Sequence, residues 1–193
     1  MLDLSINFYK EFVKIFDSNS DSRIIAIDKY SDNTAFTDFV INEINLIIEG
    51  MGLIPQNEYF RIDASGYELK HENIQSIKSF RLHCWNLKIA VEHENDPADW
   101  LDEIIKLSHI SAPLRVVIGY VPMKFRDTLD SERLAFATQA LSKLDCQNNI
   151  KEGEFLVILG NCNTNGNVDS YFNYKGYILN SDSLTFVPLE NYI

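Results

Sequence analysis

The sequence predicts an α/β fold, a mixed central sheet flanked by helices. Three observations predict it. Apolar residues recur at helical spacing over residues 4–17, about 34–51 and 127–144. Between these segments lie short apolar runs, Leu114–Val121 above all, of the kind a strand covered on both faces carries. The two patterns also alternate along the chain, which layers helices on a sheet.

The first helix is written by Leu4, Phe8, Phe12, Ile15 and Phe16, and the polar stretch from Asp17 to Ser22 ends it. Ile24–Ile27 is a short apolar run, readable as a strand or as a turn of helix. The second long helix runs from about Thr34 to Met51, with Gly52 beyond its end and Pro55 following. Tyr59–Gly66 reads as a strand entering a turn. Phe80–Asn95 is strand-rich, as one long strand or a hairpin bent near Trp85–Asn86. Asp96 then caps a helix that starts at Pro97 and carries Trp100, Leu101, Ile104, Ile105 and Ser108 on one face. Leu114–Val121 is a buried strand closed by Pro122. Leu134, Ala137, Leu141 and Leu144 fall in register on the next helix. Phe155–Gly160 is a further strand, and from Tyr171 onward the chain reads as antiparallel strands joined at Asn180–Ser183. Residues 1–193 thus form one domain, with a core at 34–122 and a strand-rich C-terminal extension at 145–193.

Composition narrows the function. Acidic residues outnumber basic ones by 28 to 17, a net charge of −11, so a protein that coats nucleic acid non-specifically is disfavoured. No stretch approaches the roughly 20 apolar residues of a membrane span. Asp3, Ser5 and Asn7 interrupt the N-terminus, which does not read as a signal peptide. Cys84, Cys146 and Cys162 are odd in number and far apart, the pattern of a reduced, cytoplasmic protein.

The chemistry-bearing run is Lys88-Ile-Ala-Val-Glu-His-Glu94. Alternation along a strand puts Lys88, Ala90, Glu92 and Glu94 on one face and His93 on the other. The two carboxylates then sit about 6.6 Å apart along the strand, at roughly 3.3 Å per residue. Asp63 ends the preceding strand, and on neighbouring strands the three acids converge. Hard cations prefer such an all-oxygen setting. Glu43 falls within the apolar stripe of the second helix, where an acid needs a metal ion or a basic partner. The competing reading is a polar strand end with solvated carboxylates.

In order and spacing, residues 34–120 resemble the PD-(D/E)XK nuclease superfamily, whose core is a helix, a strand hairpin carrying the acidic motif, a helix and a further strand. The resemblance implies a restriction-endonuclease-like core and metal-dependent phosphodiester hydrolysis. It matches Asp63 to the first motif aspartate, Glu92 to the (D/E) position and Glu43 to the helix glutamate beside the metal. Glu94 stands where most members carry lysine, an E-x-E variant. Asp63, Glu92 and Glu94 would ligate Mg2+ or Mn2+. Lys88, Lys70 and Arg81 are the nearest candidates for nucleic-acid contacts, with Lys78 beside them. The chain departs from the pattern at Ile62, where proline is usual, in the 29 residues separating Asp63 from Glu92, and in the missing lysine, for which Lys88 or Lys106 could substitute.

Other motifs have plainer readings. His83, Cys84 and His93 are too dispersed along a strand for one zinc ion. Gly160–Asn167 lacks the lysine and spacing of a phosphate-binding loop. Tyr171, Phe172, Tyr174 and Tyr177 read as a sheet face packing on its own core rather than as a base-stacking platform. Two alternatives to a nuclease follow from the charge: a non-catalytic nuclease-like protein acting through protein contacts, or an acidic inhibitor of immunity type.

Overall fold

The computed structural model describes residues 3–68, 86–123, 126–144, 150–162 and 166–193, the side chains of 126–130 excepted. The fold is α/β. Three helices come first, α1 (Asp3–Ile15), α2 (Asp21–Lys29) and α3 (Asn33–Gly50). A β1–β2 hairpin (Ile54–Tyr59, Ile62–Tyr67) leads to β3 (Leu87–His93), and α4 (Trp100–Ser108) connects this to β4 (Leu114–Pro122). Helix α5 (Arg126–Leu141), β5 (Glu154–Cys162), the short α6 (Val168–Tyr171), β6 (Lys175–Asn180), β7 (Thr185–Pro188) and a 3-10 turn complete the chain.

All seven strands form one mixed sheet in sequence order. Strands β1, β2 and β3 are antiparallel neighbours, β3, β4 and β5 are parallel, and β6 and β7 return antiparallel. The parallel pairs require crossovers, and α4 and α5 supply them. One sheet therefore continues from the 34–122 core into the C-terminal extension.

Each face of the sheet is covered, as the apolar runs of β4 and β5 require. Phe8, Phe12, Phe36, Val40, Ile44 and Ile48 of α1 and α3 pack on Ala64, Ile89, Val91, Val116 and Ile118. Trp100, Ile104 and Leu107 of α4, with Leu134, Ala137 and Leu141 of α5, pack on Ala90, Val117, Val121 and Val157. Gly119 makes the α4 contact close: a Cβ there would lie 2.7 Å from Trp100 Cβ and Cγ. Among the described residues no helix is long and apolar enough to cross a membrane.

Several boundaries differ from the sequence reading. Ile24–Ile27, open between strand and helix, is helical, and Ile24 and Ile25 are exposed because α2 buries only Ala26. Strand β1 was not expected. It contains Pro55, which an edge strand tolerates because its outward side needs no ladder hydrogen bond. Helix α4 starts at Trp100 rather than Pro97, and the Asp96 carboxylate caps a preceding turn by accepting from Ala98 N at 2.8 Å. Tyr171 ends a short helix, while Phe172 and Tyr174 are buried in the α1–α3 core, as core packing rather than base stacking requires. The 80–85 part of the expected long strand, with His83 and Cys84, lies outside the described residues.

Candidate acidic site at the ends of the central strands

The site is built where β2 begins and β3 ends. Ala64 pairs with Val91 across the antiparallel ladder. One residue further along that register, Asp63 comes level with Glu92. Asp63 Oδ2 accepts the His93 backbone N–H at 2.8 Å, which anchors the carboxylate to the neighbouring strand. Glu92 faces α4, on the same side as Ala90, and is only 1% exposed.

Helix α4 adds the remaining charges. Lys106 Nζ lies 2.8 Å from Glu92 Oε1 and 2.9 Å from Glu103 Oε2, one helical turn earlier. Lys106 thus bridges the two carboxylates. Lys106 was considered from the sequence as a source of the missing motif charge, whereas Glu103 was not singled out. The signal for Glu103 was its spacing of three from Lys106, but solvated pairs on helices show the same spacing.

The electrostatics follow from enclosure. Burial pushes Glu92 up from its ordinary 4.5 to about 8, with repulsion from Asp63 and Glu103 adding to it and Lys106 opposing. Burial also raises Asp63, against the His93 N–H and the Lys106 charge. For Lys106, burial would lower the pKa, but Glu92 and Glu103 outweigh it and the net shift is upward.

The remaining expected residues do not join the cluster. Strand β3 ends at His93, and Glu94 follows it with its N–H still bonded to Ile118 O at 2.9 Å. Glu94 is half-buried, and its Oε1 accepts from Asp96 N at 2.7 Å, serving the turn into α4. Glu43 accepts from Ser22 Oγ at 3.2 Å. The polar group that accounts for it is supplied by α2, which packs on α3 and was invisible to a wheel drawn for α3 alone. Lys88 pairs with Glu68 at 3.0 Å, about 13 Å along the strand from Glu92. Lys70 and Arg81 lie outside the described residues.

The expected four-acid centre is therefore two level carboxylates, Asp63 and Glu92, with Glu103 and Lys106 beside them. Among the described residues no three His, Cys, Asp or Glu side chains converge as a ready cation cage. The pair still suits Mg2+, which keeps several waters and commonly takes one or two carboxylates plus substrate oxygens. Asp63 also lines a cleft of about 340 Å³ between α3 and the β1–β2 hairpin, with Asp38, Glu58, Thr37, Asn42 and Asn57. Its acidic walls favour cations.

His93 points to the opposite face, as alternation predicts. Its Nε2 lies 3.0 Å from Tyr120 Oη, which lies 3.1 Å from Tyr174 Oη. Burial alone lowers the His93 pKa to about 3, so the ring is neutral and structural at neutral pH. No family model, curated protein or solved structure matches the chain. The site is thus read from its own geometry and chemistry.

Proposed function

We propose that this protein is a divalent-cation-dependent phosphodiester hydrolase acting on nucleic acid, a nuclease of the PD-(D/E)XK kind. The observation that carries the reading is the placement of Asp63 and Glu92 level on adjoining strands within the order α3-β1-β2-β3-α4-β4. With β1 as an added strand, that order is compatible with the helix, strand hairpin, helix and strand that the resemblance implies. Asp63 and Glu92 would hold Mg2+ or Mn2+. When bound, such an ion lowers the pKa of a water and stabilises charge on the phosphate. The His93 N–H keeps one Asp63 oxygen fixed, and the enclosure of Glu92 keeps bulk water from it.

A second reading, a non-catalytic nuclease-like protein that works through protein contacts, is favoured by the acidic cleft. Asp38 and Glu58 beside Asp63 would repel a phosphate chain that no cation had shielded. A cytoplasmic setting would suit either reading.

Purified protein incubated with single- and double-stranded DNA and RNA, with Mg2+ and then Mn2+, separates the two. The first reading expects cleavage of at least one substrate, lost by about 100-fold or more in Glu92→Gln. Intact substrates under every condition would favour the second.

A further inference from the structure

We propose that Lys106 is a tethered stand-in for the divalent cation, offsetting part of the acidic site's charge until a metal ion displaces it. The inference rests on the cation-site reading above and concerns how that site is kept closed.

A carboxylate enclosed as fully as Glu92 needs a positive partner or a proton. Lys106 is the cation whose charge acts on both Glu92 and Asp63. It touches Glu92 and Glu103 but makes no ion pair with Asp63. With all groups ionised, one ammonium faces three carboxylates. Once Lys106 has left with Glu103 as its partner, Asp63 and Glu92 carry two negative charges, which a divalent ion is suited to neutralise.

The contact geometry agrees. Buried ion pairs that serve as fixed structure are normally completed by well-aligned hydrogen bonds. Here one ammonium is shared between two carboxylates, so neither pair has it to itself. Lys106 is also 34% exposed and sits on a flexible four-carbon stem, so it can leave Glu92 for solvent without unfolding α4. Glu103 travels on the same helix turn and remains a partner for it. Metal binding and release of the lysine are then one event.

The test measures the lysine itself. Mn2+ binding is followed by calorimetry, and lysine reactivity by trace acetylation with acetic anhydride and mass spectrometry. Exposed Lys10 and Lys143 serve as internal references. Saturating Mn2+ is expected to raise Lys106 acetylation several-fold relative to those two. The rise in melting temperature on adding Mn2+ is expected to be larger in Lys106→Met than in the wild type. Binding of Mn2+ to Lys106→Met alone would equally support the proposal. If Mn2+ binds the wild type while Lys106 reactivity stays level or falls, the stand-in role is overturned and the cation site survives. If neither protein binds Mn2+, both are overturned.

Discussion

Glu92 is in the interior on terms that suit a protonated acid or a paired anion, and the pH dependence of stability should show it. Its folded pKa, about 8, lies above the ordinary 4.5, so the native state holds a proton the unfolded chain has released. Its contribution is fully present below about pH 4.5 and is lost as pH rises towards about 8. Asp63 is shifted in the same direction. His93 acts oppositely, because its folded pKa near 3 lies below the ordinary 6.5 and stability is lost as pH falls through that interval. The difference between wild type and Glu92→Gln isolates the first effect. Urea midpoints should show Glu92→Gln gaining on the wild type steadily from about pH 5 to about pH 8. Parallel curves across that window would contradict the account. The sequence carried the facing of this residue well: alternation put Glu92 and His93 on opposite sides, and they are. It could not carry the position of Glu94, because a strand's last residue depends on a ladder whose partner strand is read only in space.

At the scale of elements, the site depends on how α4 seats against β4. Trp100 begins that helix and rests on Gly119, where a Cβ would come within 2.7 Å of the indole side chain. Gly119→Ala should therefore push Trp100 and α4 outward and cost about 1–3 kcal/mol, the usual range for overpacking a tight core. Chemical denaturation checks this, and a neutral result would mean that the helix slides freely over the sheet. Leu114–Val121 and Phe155–Gly160 were legible as strands because burial on both faces leaves a continuous apolar run. Strand β1 was not, since Gln56, Asn57 and Glu58 give it a half-exposed edge with no periodic signal. The α2 helix was legible only as one of two readings of Ile24–Ile27, because Ile24 and Ile25 face outward while Ala26 makes the core contact. Once α2 is present, Glu43 meets Ser22, and the sequence argument for a metal partner there loses its ground.

For the whole molecule, the continuous sheet makes the 34–122 core and the C-terminal strands one body, with the acidic pair at the ends of its central strands. The alternation of helices and strands was enough to foresee that architecture. The placement of Asp63 beside Glu92 across 29 residues was foreseeable only on the condition that their strands are neighbours, since no local rule fixes which strands pair. The net charge of −11 and the acidic cleft draw cations towards Asp63 and hold free phosphate chains away. On this account cation binding must come first, and it is also the step most directly measured. Calorimetric titration of Mn2+ into the wild type and into Asp63→Asn is the decisive measurement. The account predicts saturable binding by the wild type, weakened about tenfold or more in Asp63→Asn. Equal affinities in the two proteins, or no binding heat in the wild type, would contradict it.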